Sequence, residues 1–528
     1  MLSFFDGGHC KKRDVMLDRR QILKSSAALA VGGIAAPKIS RAQAPSVLKF
    51  VPQADLSLLD PIQTPVFVTR NHAFMVYDML YGVDENLVAR PQMVEGHLVE
   101  NDGLTWKLTL RDGLRFHDGQ PVLARDAVAS IRRWGKRDLF AQGLMEATVE
   151  LSAPSDKVIQ FRLHRPFRLL PDALGKPISN ICPIMPERFA NLDPSQQVTE
   201  VVGSGPFRFV ANERVPGSLS VYEKFTGYVP RAGERTSFLA GPKVAHIDRV
   251  EWHTMPDAAT ASAALMSGEI DWWEQPLIDL LPALRQKRDL RASVLDDFGN
   301  LCLARLNTLH PPFDDPVIRR IVLRAIRQAD IMAAVAGGDP EYAVENVGFF
   351  APGSRLDSPA GKEALNGERD YAKLKAELLA AGYDGKPIIF LSPGDYPTIF
   401  ALAEVLSDVM RKIGFSVDYQ VRDWSTVVQR AASKEPPEKG GWHVFVFFTA
   451  ALASVNPAGH TYLRGNGQSS VFGWPSIPKL EELRTAWFNA TDDAQEKTIG
   501  NKCRCLPSSR CPMCHLATSS SRQPTLAG

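Results

Sequence analysis

Between Ile388 and Val421 the chain changes its hydrophobic period twice within 34 positions. An apolar run at Ile388–Leu391 reads as a strand, Thr398–Ile413 carries apolar residues at helical spacing, and Phe415–Val421 returns to strand-like alternation. A crossover helix of that length favours parallel neighbours, so a parallel sheet covered by helices is expected. Val444–Phe448 is continuously apolar, which suits a strand covered on both faces. The expected fold class is therefore α/β.

The same logic extends along the chain. Trp106, Leu108 and Leu110 alternate with Thr105, Lys107 and Thr109, and Asp112-Gly113 and Asp118-Gly119 then mark turns. Ala124, Val128, Ile131 and Trp134 recur on one helical face. Asp257 can cap a short helix, Ala258–Met266, that Gly268 ends, with a strand at Ile270–Trp273. Asp315-Pro316 is an N-cap and first-turn pair. It opens a helix with Val317, Ile318, Ile321, Val322, Ala325 and Ile326 on one stripe, stopped at Gly337-Gly338. At 528 residues the chain is too long for one core. The net charge of +2, with both signs interspersed, gives no reason to expect nucleic acid or an anionic membrane as a partner.

Residues 1–44 have the form of an export signal. DRRQILK (Asp18 to Lys24) precedes a mildly apolar run, Ser25–Ala36, and Ala42-Gln43-Ala44 offers small residues at alternate positions for cleavage near Ala44. Arg19 and Arg20 before a weakly apolar segment resemble the twin-arginine signal. Met16 is an alternative start. No stretch reaches the ~18 apolar residues of a membrane span, so a soluble, exported mature chain is expected.

Catalytic signatures are missing. The sequence has no HExxH, no GxxxxGK[ST] and no GxSxG, and Gly203-Ser204-Gly205-Pro206 reads as a turn. Its eleven histidines are scattered without ligand spacing. No cofactor and no metal are expected. The tail is the exception: Cys503, Cys505, Cys511 and Cys514 crowd into twelve positions. With His515 they could hold zinc, and Cys511–His515 spells a C-x-x-C-H haem-attachment string. A shifted reading frame explains the break in composition better, and on that reading nothing after about residue 500 joins the core. A non-functional frameshifted product is thus one alternative for the whole chain. Aromatic residues, by contrast, are abundant in the second half, and they suit ligand pockets as well as cores.

Four segments in order resemble the peptide- and nickel-binding family 5 of bacterial extracellular solute-binding proteins. They are NDGLTWKLTLRDGLRFHDGQP (101–121) with DAVASIRRW (126–134), GSGPF (203–207), PDAAT (256–260) with ALMSGEID (264–271), and PFDDPVIR (312–319) followed by LLAAGY (378–383). The resemblance spans roughly residues 46–500. It implies a periplasmic receptor of an ABC importer: two α/β lobes, 45–256 and 257–500, that close by a hinge on a peptide or similar small solute without catalysis. Residues 501–528 stand where the family returns to its first lobe. Expected partners are the ligand and permease subunits of the inner membrane served by separate ATPase subunits, with the receptor itself a monomer.

By the same resemblance, Trp424 within Asp423–Thr426 lines the pocket. Residues 446–456 cover the stretch where peptide binders set an acid against the ligand's amino group, yet here they contain no Asp or Glu. Phe447 and Thr449 are expected as wall residues and Asn456 as a polar contact. A metal-complex or haem receptor of the same fold is an alternative, and an exported hydrolase is a weaker one.

Overall fold

The computed structural model describes residues 45–527, apart from 179, 338, 340, 360–361, 363–364, 366–368, 511–512 and 518–523; from 504 onward only the backbone is described. The twin-arginine segment, with Arg19, Arg20 and Ala44, lies outside the described residues, as does Cys511.

Two large sheets dominate. The first has seven strands in the order Arg291–Val294, Pro524–Ala527, Trp272–Trp273, Val47–Val51, Arg249–His253, Leu219–Lys224 and Phe207–Phe209. A four-stranded antiparallel sheet, built from Val94–Glu100, Thr105–Leu110, Val158–Leu163 and Thr148–Ser152, packs beside it. The core they share includes Trp106, Leu108, Ile131, Trp134 and Phe161. Trp106, Leu108 and Leu110 point inward from their strand, as the alternation requires. The GSGPF segment packs tightly beneath the Phe67–Val76 helix. Gly205 donates its amide to the Val76 carbonyl (2.8 Å), and a Cβ at Gly203 would lie 2.0 Å from that oxygen.

The second sheet has five strands in the order Val417–Arg422, Ile388–Pro393, Val444–Ala450, Asn300–Leu306 and Met513–Ala517. Ile388–Pro393 and Val417–Arg422 are parallel neighbours joined through helix Pro397–Lys412. Asp315 caps its helix by accepting the Val317 amide (2.6 Å). Ile318, Ile321, Val322 and Ala325 are buried there, while Val317 faces solvent.

Two expectations need correction. Residue 257 is not where the chain leaves the first sheet: Trp272–Trp273 and Arg291–Val294 still belong to it, and the passage to the second sheet comes at 295–299. The tail also joins both sheets. Met513–Ala517 pairs with Asn300–Leu306, and Pro524–Ala527 fills the gap between Trp272–Trp273 and Arg291–Val294. Cys503 is fully buried among Leu301, Leu303 and Leu480. The physical reason is that a sheet edge is completed by backbone groups, which any extended segment without proline in the ladder interior can supply. Composition alone therefore did not exclude the tail from the core.

Candidate functional site

Strand directions create the site. Val47–Val51 runs parallel to Arg249–His253 and Trp272–Trp273, and Pro524–Ala527 lies antiparallel between Trp272–Trp273 and Arg291–Val294. Residues 51, 273 and 294 thus end their strands on one edge. In the second sheet Ile388–Pro393, Val417–Arg422 and Val444–Ala450 run parallel, and Asn300–Leu306 enters antiparallel to Val444–Ala450. The five-residue crossover Leu295–Gly299 therefore sets the carboxyl-terminal edges of the two sheets against each other. Such edges are where open α/β sheets bind ligands, because loops rather than ladder bonds occupy them.

On the first-lobe side, Glu274 directly follows Trp273 and is 8% exposed. Its carboxylate accepts the Gln53 amide (2.9 Å) and the Asn71 side-chain amide (2.8 Å). Arg70 donates through Nε and Nη2 to Asn71 Oδ1 (3.2 and 2.9 Å), and its guanidinium lies 4.9 Å from the Phe67 ring centre. Asp296, in the crossover, accepts the Phe298 amide (3.0 Å). Burial pushes the carboxyls of Glu274 and Asp296 up and lowers the Arg70 guanidinium, whose charge partly offsets the rise of both. Asp296 is nonetheless open to solvent.

On the second-lobe side, Asp423 caps the Trp424–Ala431 helix by accepting the Thr426 amide (2.9 Å). The Trp424 amide donates to Asp395 (2.8 Å). Its ring meets Tyr396 edge-on at 6.0 Å, and Tyr396 meets Phe448 edge-on at 5.5 Å. All three rings are half-buried and form one wall.

Of the residues expected from sequence, Trp424 stands in this wall; Thr449 is half-buried opposite Leu301, and strand alternation puts it on the face of Phe447 rather than with Phe448. Phe447 does not line the wall. It is 5% exposed, stacked on Phe445 (5.1 Å, 18°) and packed on Tyr462 (4.8 Å). Strand alternation turns Phe445 and Phe447 to one face and Phe448 to the other, so Phe448 takes the place expected for Phe447. Asn456 Oδ1 accepts the Gly459 amide (3.0 Å), which commits it to a local turn. Arg70, Glu274, Asp296, Tyr396 and Phe448 were not singled out from sequence. Tyr396 carried a usable signal, an aromatic residue in a Pro/Gly/Asp turn directly after a parallel strand.

His72, His117 and His443 are buried or half-buried, and burial lowers them to about 3, 4 and 4 respectively, so they are neutral at pH 7. Each bonds to a neighbouring group: Tyr222, Gly205 and Pro311.

A second contact joins the lobes away from the wall. Phe488 packs on Phe140 and Phe167 (6.0 Å each), and Arg165 donates to Asn489 (2.6 Å). Arg168 pairs with Asp493 and Glu496 (2.8 Å to the latter), and Arg355 pairs with the same two carboxylates (3.1 Å to Asp493). Asp172 adjoins this cluster; burial, then the charge of Glu496, pushes its carboxyl up to about 6. A carboxyl raised in the folded state favours folding while protonated. That contribution is complete below the unfolded value of about 4 and is lost as pH rises through about 6. Denaturant melts should therefore show Asp172→Asn to be more stable than the parent at pH 7.5, by about 1 kcal/mol after solvent screening. The difference should vanish near pH 4.

Residues 89–469 match the family described as bacterial extracellular solute-binding proteins, family 5 Middle. A probable peptide ABC transporter periplasmic-binding protein of Sinorhizobium fredii is 33% identical over 494 residues, covering 92% of this chain and 91% of the relative. A glutathione-binding protein of Salmonella typhi is 24% identical, covering 84% and 83%. Among solved structures, a periplasmic binding protein of Helicobacter pylori in complex with a peptide superposes with a TM-score of 0.74 at 20% identity, covering 91% and 93%. An Agrobacterium tumefaciens binding protein in complex with agropinic acid superposes with a TM-score of 0.73 at 19% identity, covering 91% and 93%. The match of family and fold leaves one assignment: the chain belongs to the bacterial extracellular solute-binding proteins, family 5.

Proposed function

We propose that this protein is the extracytoplasmic receptor of a peptide importer, capturing a short peptide or peptide-like solute between its lobes and releasing it unchanged. One observation carries the reading: the carboxyl-terminal edges of two sheets face each other across a five-residue crossover, with charged groups on one side and an aromatic wall on the other. The wall offers an apolar body its contact area, and the charges orient a polar end. The 33% identical relative, named as a peptide-binding component, supports the substrate class. Permease subunits and separate ATPase subunits are the partners this role requires. Adding an unfractionated short-peptide digest should raise the unfolding midpoint of the purified chain, because a ligand that binds only the native state stabilises it by mass action. An unmoved midpoint would count against the reading.

Arg19 and Arg20, before the weakly apolar Ser25–Ala36 run, support export through the twin-arginine route with cleavage near Ala44. Replacing both arginines with lysine should retain the chain in the cytoplasm. Unchanged periplasmic recovery of that variant would assign export to the general secretory route.

A further inference from the structure

The lobes touch at two separate places. Beside the crossover, Ala336 and Tyr342 of the second lobe join a hydrophobic cluster with Val51, Trp273 and Leu281 of the first. The other contact is the seam around Phe488, which shares no residue with that cluster. A contact next to the crossover moves little when the lobes turn about it, whereas a contact elsewhere has to part.

The seam is built for parting. Helix Pro478–Phe488 begins in the second-lobe core with Leu480 and ends with Phe488 against Phe140 and Phe167 of the first lobe. Facing that ring, Gly143 stands inside the helix Leu139–Ala147, where glycine is less favourable than alanine. A Cβ at Gly143 would lie 3.3 Å from the Phe488 ring, so the missing side chain is what seats it. The charges alongside follow the same plan. Asp493 and Glu496 each pair with two arginines, Arg168 from the first lobe and Arg355 from their own. The Glu496 side chain is fully buried. When Arg168 leaves, Arg355 stays, so opening strands no buried carboxylate without a counter-charge, which is what makes breaking a buried pair costly. Phe488 likewise keeps its edge contact with Trp487 (5.6 Å, 74°).

Resting on the receptor reading, we infer that Phe488 in its Gly143 seat and Arg168 on Asp493 and Glu496 form a clasp, which holds the lobes together away from the aromatic wall and sets affinity without touching the solute. The apparent affinity of such a receptor scales with the fraction of molecules in the shut form. Phe488, Gly143 and Arg168 are therefore positioning residues: they act on the ligand only through the arrangement of the lobes.

Small-angle X-ray scattering of the purified full chain without ligand, followed by titration with a short-peptide casein digest, tests the clasp. Arg168→Gln removes the cross-lobe charge. Gly143→Leu fills the seat and displaces Phe488, while leucine favours the helix that carries it. Both variants should scatter with a larger radius of gyration than the parent. Each should also need about five-fold more digest than the parent for the same rise in unfolding midpoint, the scale of one charge-assisted contact discounted for partial exposure. Salt supplies a readout that a merely structural role would not move. Raising sodium chloride from about 0.05 to about 0.5 M should increase the parent's digest requirement more than that of Arg168→Gln, which has no cross-lobe pair left to screen. Midpoints without digest report folding, and Arg168→Gln decides the matter alone if Gly143→Leu does not fold. If Arg168→Gln matches the parent in scattering or in digest requirement, the seam is a fixed pivot and the clasp falls while the receptor reading stands. If no digest moves the parent midpoint, the receptor reading fails and takes the clasp's role in affinity with it, whereas the scattering still decides whether the seam opens.

Discussion

A chain stopped after Arg510 should fail to fold cooperatively. It lacks Met513–Ala517 and Pro524–Ala527, which removes one neighbour of Asn300–Leu306 and the pairing partner of Arg291–Val294. Trp272–Trp273, only two residues long, loses the strand on its outer side. At roughly 0.5–1.5 kcal/mol for each ladder hydrogen bond, plus the exposure of unpaired strand edges, the loss is about 5 kcal/mol or more. A domain's total stability is about 5–15 kcal/mol, so truncation removes a large share of it. Circular-dichroism melts and soluble yield read the effect. A truncated chain that melts like the parent would detach the tail from the core and favour the shifted-frame explanation of its cysteines. Resequencing the gene checks that explanation independently.

The second large effect separates two neighbouring aromatic positions. Trp424→Ala should weaken peptide binding by about 1–3 kcal/mol, roughly five- to 150-fold in Kd, because it removes apolar contact area from the aromatic wall. The helix it starts should survive. Its cap is the Asp423 carboxylate, and the Asp395 bond uses the backbone amide of residue 424, which alanine retains. Phe447→Ala should behave in the opposite way. Phe447 is packed between Phe445 and Tyr462, so its truncation should cost about 3–5 kcal/mol of stability and leave affinity largely intact. Calorimetry with a bound peptide and denaturant melts together distinguish the two. Equal affinity for Trp424→Ala and parent would remove Trp424 from the wall.

These two positions also mark where sequence reasoning worked and where it stopped. The parallel pair Ile388–Pro393 and Val417–Arg422 was legible because the hydrophobic period changes from strand to helix and back. The caps at Asp257 and Asp315 were legible because their geometry is local. Val444–Ala450 is recognisable as a strand, but an uninterrupted apolar run hides which residues share a face, so the sequence does not separate Phe447, which is buried, from Phe448, which is half-buried. The extent of the first sheet was hidden for a different reason. Trp272–Trp273 and Arg291–Val294 are too short to show a period, and their partners, Val47–Val51 and Pro524–Ala527, lie more than 200 residues away. The charged group at the sheet edge is of the same kind: the helix that carries Arg70 and Asn71 meets Glu274 only through the paired strands Val47–Val51 and Trp272–Trp273, which no spacing rule encodes.

Capture of a small solute between the lobes is the central claim, and native mass spectrometry of the full chain purified from the periplasm tests it most directly. The account predicts a population heavier than the bare chain by the mass of a short peptide or peptide-like solute, released on denaturation and restored by incubation with a peptide digest. A chain that carries no such adduct as purified, and acquires none from the digest, would contradict it.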